Sequence, residues 1–113
     1  MTAYFICTED ELIQDHSRGF IIESEQGPID LFVLKLESSI HAYRNHCPHL
    51  GIPLNWQPDE FLSIEKTHIQ CSTHGALFTR DEGHCVAGPC SGQKLESLTL
   101  EQRQQEVWLH IKD

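Results

Sequence analysis

The sequence predicts an all-β domain, an antiparallel sandwich or small barrel of short strands. Three observations carry that expectation. Short apolar or alternating runs recur along the chain, each bounded by turn residues. Seven Gly and five Pro punctuate only 113 residues, which leaves little room for long helices. The one clear helix-start signal, Thr8-Glu9-Asp10-Glu11, has the form of a capping box but is followed within a few residues by Ser17-Arg18-Gly19, so it opens no more than a short turn.

In chain order, Ala3–Cys7 is the first strand expected. Phe20–Glu23 and Ile29–Leu36 follow, joined around Gln26-Gly27-Pro28. The alternation in Ile29–Leu36 is imperfect, yet the segment is too apolar to be a loop. Ile40–Arg44 is a further strand, and Phe61–Ile64, Thr67–Gln70 and Ala76–Thr79 are short strand-like pieces. Asp81-Glu82-Gly83 reads as a turn and His84–Pro89 as a Gly/Pro-containing loop. Leu95–Leu100 and Val107–Ile111 alternate apolar and polar residues and close the chain as strands, with Gln102–Gln105 turning between them.

Residues 1–113 amount to one domain, long enough to bury roughly two thirds of the unfolded surface. The 39% hydrophobic content excludes a disordered chain. A formal net charge of −9 argues against nucleic acid or an anionic membrane as partner, since both are bound through Lys/Arg patches, and favours a basic protein partner or a soluble acidic carrier. No apolar run reaches the ~18–20 residues of a membrane span, and the N-terminal segment lacks the features of a secretory signal, so the expected location is the cytoplasm. Five cysteines cannot all pair within one chain. In a reducing compartment, clustered Cys and His read first as metal ligands.

The cluster in question is Cys47-Pro48-His49-Leu50-Gly51 and Cys71-Ser72-Thr73-His74-Gly75, a C-x-H and a C-x-x-H separated by 21 residues. Each half offers one thiolate and one imidazole from a tight loop, and each is followed by a glycine that permits close backbone approach. Two chemistries suit two Cys and two His. A structural zinc site takes this donor set, though zinc fingers group a Cys pair before a His pair. A [2Fe–2S] cluster with one iron on two Cys and the other on two His takes it in the mixed order found here.

Together with Gly88-Pro89 downstream, these motifs resemble the Rieske iron–sulfur family, and more narrowly its small soluble ferredoxins that serve bacterial oxygenases. The resemblance covers nearly the whole chain. It implies three antiparallel sheets with the cluster loops at one tip and one [2Fe–2S] cluster per chain. By the same resemblance, Cys47 and Cys71 bind the inner iron, His49 and His74 bind the outer and more exposed iron, and Gly88-Pro89 belongs to a third loop that covers the cluster. Two ferric ions, two sulfides and two thiolates sum to zero charge with neutral imidazoles, so one added electron leaves a single net negative charge. Histidine ligation also raises the potential above that of an all-thiolate cluster.

What the resemblance implies for function is a soluble one-electron carrier, a monomer when free, between a reductase and a terminal oxygenase or reductase. It is not an enzyme by itself: the sequence holds neither a nucleophile–base set nor a dinucleotide-binding glycine motif. Rival readings are a Rieske-like small subunit of a larger, nitrite-reductase-like enzyme, a zinc-stabilised interaction module, and a redox or iron sensor.

The chain departs from the ferredoxin pattern in two places. The spacer is long, with the surplus expected as an exposed excursion at Asn55–Glu60. Cys85 and Cys90 flank the third loop outside the pattern. They read as buried small apolar residues, as a disulfide bracing the loop, or as a redox-sensitive pair, the first being the simplest. The positions of the family's loop-to-loop disulfide hold Ile52 and Thr73, so that bridge cannot form. Cys7 reads as core and His46 as an exposed loop residue. His16, His41, His68, His84 and His110 show no ligand spacing, Trp56 reads as a loop anchor or a docking aromatic, and Trp108 as core or sheet surface.

Overall fold

The computed structural model describes residues 2–48, 52–55, 57–72, 75–90 and 92–111. Strand β1 (Thr2–Thr8) leads into a single 3-10 turn at Glu9–Glu11. There the Glu11 carboxylate accepts a 2.7 Å hydrogen bond from the Thr8 backbone N–H, which is the capping-box contact expected from the sequence. Strands β2 (Ser17–Ser24), β3 (Gly27–Lys35) and β4 (Ile40–Arg44) form an antiparallel meander. Three very short strands, β5 (Ile69–Gln70), β6 (Leu77–Phe78) and β7 (Cys85–Ala87), make a second sheet. The chain closes with the hairpin β8 (Ser97–Arg103) and β9 (Glu106–Ile111).

The large sheet runs β1-β9-β8-β4-β3-β2 and curls until β1 and β2 come into contact, making a nearly closed barrel. The resemblance implies three sheets. Here two of them are continuous, because Ala42 pairs with Leu98 and Tyr43 with Ser97 across β4 and β8.

Strand β3 explains its own imperfect alternation. Ile29, Leu31 and Val33 point into the barrel, where they join Ile6, Cys7, Leu12, Ala42, Val107 and Leu109. Phe32 and Leu34 point the other way, into a second core with Tyr43, Leu54, Phe61, Ile69, Phe78 and Leu95. A strand buried on both faces has no polar alternate positions to show. The Phe32 ring stacks on Phe61 with centroids 4.3 Å apart and leans on Tyr43 at 5.7 Å.

Several boundaries differ from the sequence expectation. Ser24 pairs with Gly27, so the β2–β3 turn is Glu25-Gln26, with Gly27 at φ +107° completing it. Pro28 sits inside β3, accommodated because the β4 ladder ends at Leu31↔Arg44. The β8–β9 turn is only Gln104-Gln105, both left-handed (φ 52° and 69°), as a two-residue hairpin of this twist requires. Phe61–Ile64 makes a single bridge, Leu62↔Ile69, rather than a strand, while the loop expected at His84–Pro89 contains β7. Among the described residues no helix is long and apolar enough to cross a membrane.

Phe32 is fully buried between Phe61 and Tyr43, whereas Phe5 is 46% exposed on the sheet surface. Phe32→Ala is expected to lower stability by about 3–5 kcal/mol and Phe5→Ala by about 1 kcal/mol or less, as measured by urea unfolding.

Candidate metal centre

The two cysteine loops leave the second core at adjacent points and are closed in the same way. The Cys47 N–H donates to the Ile52 carbonyl at 2.7 Å, and the Cys71 N–H donates to the Ala76 carbonyl at 2.9 Å. In each loop the cysteine stands at the neck and ties to the residue five positions on. The second loop gains a further tie from Gly75 N–H to the Cys71 carbonyl at 2.9 Å, with Gly75 at φ +70°. The Ser72 N–H donates 2.8 Å to the Leu54 carbonyl and joins the second loop to the end of the first.

Asn45 holds the first loop on its strand. Its Oδ1 accepts from the Leu54 N–H at 2.7 Å, its Nδ2 donates to Asn55 Oδ1 at 2.9 Å, and its backbone N–H donates to the Asp30 carbonyl at 2.9 Å. It is one of the few buried polar residues, and its hydrogen-bonding capacity is used across the loop it spans. Sequence reasoning missed Asn45, because a single asparagine beside a metal motif carries no pattern of its own.

The excursion at Asn55–Glu60 is anchored rather than loose. Asp59 Oδ1 accepts from the Gly19 N–H at 2.8 Å, and Ser17 Oγ donates to the Asp59 carbonyl at 2.8 Å. Both contacts pin the excursion to β2, which the sequence spacing did not suggest.

The third loop covers the second. Gly88 has φ +102°, and a Cβ there would lie 2.8 Å from Ala76 Cα, so only glycine permits the approach. Cys85 lies in β7 opposite Phe78, and Cys90 ends the loop. Burial above all, then the neighbouring Cys85 thiol and more distantly Cys47, push the Cys90 thiol up to about 12. Cys7 lies in the barrel core, away from this region, and burial raises its thiol to about 11.

Cys47 and Cys71 are 2% and 1% exposed and belong to one core cluster. The predicted imidazole ligands, His49 and His74, lie outside the described residues, as do Gly51, Trp56 and Thr73. His46 is exposed, as expected. His41 meets Ser39 Oγ at 2.8 Å, His68 meets Thr67 Oγ1 at 3.0 Å, and His110 pairs with Glu101.

The described donors fit an iron–sulfur group. A thiolate held in an apolar core needs a cation beside it, and two thiolates at the necks of two like-closed, mutually bonded loops ask for a multiply charged one. A cluster bound by both loops would unite them through iron, and its binding energy would be folding energy for a region with little regular structure.

No curated protein matches the sequence. The structure is similar to the ferredoxin of carbazole 1,9a-dioxygenase from Nocardioides aromaticivorans IC177, with a TM-score of 0.76 at 20% identity, covering 99% of this chain and 100% of that one. It is also similar to the terminal oxygenase of carbazole 1,9a-dioxygenase from Novosphingobium sp. KA1, with a TM-score of 0.78 at 20% identity, covering 98% of this chain but only 30% of the oxygenase. A third likeness is to a chain in the complex of reduced oxygenase and oxidized ferredoxin in carbazole 1,9a-dioxygenase, with a TM-score of 0.72 at 20% identity, covering 95% of this chain and 91% of that chain. At such identities the likeness is one of fold. The sequence model of the Rieske [2Fe-2S] domain matches residues 2–104, so the chain belongs to the Rieske [2Fe–2S] domain family, which implies one [2Fe–2S] cluster per chain.

Proposed function

We propose that this protein is a soluble, cytoplasmic one-electron carrier that takes electrons from a reductase and passes them to a terminal oxygenase or a similar enzyme. Cys47 and Cys71 hold the inner iron of its cluster, and His49 and His74 hold the outer iron. The observation that supports this reading is the matched closure of the two loops, joined by the Ser72–Leu54 backbone bond, with both cysteines buried in one core cluster. The whole chain, residues 1–113, acts as one Rieske domain, monomeric when free, and has no catalytic reaction of its own. The end-to-end likeness to a ferredoxin supports the carrier role.

When bound, the cluster supplies a one-electron couple. The chain supplies its setting. Phe32, Leu54, Phe78 and Leu95 keep water from the thiolate side. Exposed residues around the loops, Pro53, Gly75, Val86 and Pro89 among them, leave the opposite side open to a docking protein. The net charge of −9 steers that encounter toward basic surfaces and makes its rate fall as salt rises.

The potential belongs at the low end of the family's span. Hydrogen bonds to cluster sulfurs favour the reduced, more negative state and raise the potential. In high-potential Rieske proteins a serine follows the His-Gly of the second loop and a tyrosine stands two residues on. Here those positions are Ala76 and Phe78, which have no side-chain donor. A carrier of this kind is reduced by a flavin reductase and is too weak an oxidant for a quinol.

Anaerobically purified protein is expected to be red-brown with about two irons and two acid-labile sulfides per chain. Replacing Cys47, His49, Cys71 or His74 with Ala should abolish or destabilise the visible absorption. A folded quadruple variant that kept the spectrum would overturn the ligand assignment. Protein-film voltammetry near neutral pH should give a midpoint of around −150 mV rather than +300 mV. Ala76→Ser and Phe78→Tyr should each move it upward. Because Phe78 is fully buried, a tyrosine hydroxyl that missed its sulfur would instead cost about 1–3 kcal/mol of stability with no change in potential.

A further inference from the structure

Cys85 and Cys90 are the two thiols of the second core that the cluster does not use. Their sulfur atoms lie 2.8 Å apart. The contact is set by the backbone, because one residue clasps both cysteines. The Cys85 N–H donates to the Gln93 carbonyl at 2.9 Å, and the Gln93 N–H donates to the Cys90 carbonyl at 2.9 Å. Between the two cysteines the chain reverses through Gly88 at φ +102° and Pro89. Residues 86–89 of this reversal are exposed, while Cys85 is 7% and Cys90 1% exposed. The loop that shields the pair therefore has solvent on its outer side. Only a small side-chain adjustment separates this contact from bonding distance.

We propose that Cys85 and Cys90 form a second redox site, a reversible two-electron dithiol/disulfide pair, which reacts with a small disulfide of the glutathione class. Cys85, the more exposed, acts first. Its thiolate attacks one sulfur of the oxidised glutathione, breaks that S–S bond and releases one glutathione thiol. Cys90 then attacks the Cys85 sulfur of the mixed disulfide and releases the second glutathione thiol. The chain loses two electrons and two protons, and one glutathione disulfide becomes two glutathione thiols. The new bond ties β7 to the end of the third loop, whose Gly88 rests on Ala76 of the second cysteine loop. The cover of the metal centre would then be fixed covalently in the oxidised form and held only by packing and hydrogen bonds in the reduced form. The pair uses none of the proposed cluster ligands, so its chemistry does not rest on the carrier role.

The test is to equilibrate the cluster-loaded protein anaerobically with glutathione and glutathione disulfide at a series of ratios. Samples whose visible spectrum is intact are denatured directly into N-ethylmaleimide and weighed intact by mass spectrometry. Under reducing ratios all five cysteines should be modified. Under oxidising ratios two thiols should be lost to the reagent in one step, and peptide mapping should place the bond between Cys85 and Cys90. Adding dithiothreitol should restore full modification. Cys85→Ser should keep every remaining thiol reactive at all ratios, whereas Cys90→Ala, which lacks the resolving thiol, should lose at most one thiol, to a glutathione adduct on Cys85 visible in the intact mass. Full modification of the native chain at every ratio would overturn the proposal. So would a bond mapped to Cys7, Cys47 or Cys71, or a single variant that still lost two thiols.

Discussion

Strand β3 has to satisfy two cores at once, and the rest of the molecule is arranged around that demand. Its barrel-facing residues, Ile29, Leu31 and Val33, close one hydrophobic interior, and its outward residues, Phe32 and Leu34, found another. The second sheet depends on this outward face. Strands of two or three residues form too few backbone hydrogen bonds to stand alone, so β5, β6 and β7 persist only where their side chains dock on a preformed apolar surface. Ile69, Phe78 and Cys85 supply those side chains, and the stacked rings of Phe32 and Phe61 with Tyr43 supply the surface. Tyr43 adds a directional tie: its hydroxyl donates to the Arg80 carbonyl at 2.9 Å, beyond the end of β6. The Gly83 backbone comes so close to the Tyr43 ring that a Cβ would lie 2.8 Å from it.

Above that surface the chain has little secondary structure to rely on, and individual hydrogen bonds take its place. Buried loop backbone must still find partners. Here the partners are the loops' own necks, the Asn45 side chain, and the bond from Ser72 to Leu54 between the loops. The neck bonds hold each cysteine by its backbone N–H, and the others tie the loops to the strand and to each other. Both cysteines sit buried in the apolar packing of the second core.

How much of this was legible in the sequence follows from which physical demand each residue serves. β1, β4 and β9 were readable because each is long enough to show its apolar positions, and Ile40–Arg44 agrees with β4 residue for residue. β8 extends further than expected because its end, Gln102-Arg103, is exposed, and an exposed strand end carries no apolar signal. β7 was hidden because its span, within Cys85–Pro89, mixes a strand with the turn that follows it. The paired Cys/His loops announced the family because ligand chemistry dictates residue identity as well as polarity, and that demand survives where fold-level identity to similar structures is only 20%. The supports of the site were invisible for the opposite reason. Asn45, Ser17, Asp59 and Gln93 act through a few hydrogen bonds, mostly to or from backbone, which many residues in many arrangements could provide. The continuity of the large sheet was equally hidden, since it rests on only two paired positions, Ala42↔Leu98 and Tyr43↔Ser97.

Packing and electronic tuning meet at Ala76. Its carbonyl closes the neck of the second loop on Cys71, and its own Cα and Cβ leave no room for a side chain on Gly88. The residue is buried to within 1% of its surface. A hydroxyl at this position, the device by which high-potential members of the family donate to a cluster sulfur, would enter a contact already tight on the third-loop side. The small residue therefore does two things with one methyl group. It lets Gly88 and the cover loop sit directly on the second cysteine loop, and it presents no side-chain hydrogen-bond donor there. The loop that carries Gly88 is also the one whose cysteines Gln93 clasps, so the cover and the thiol pair share one glycine–alanine contact.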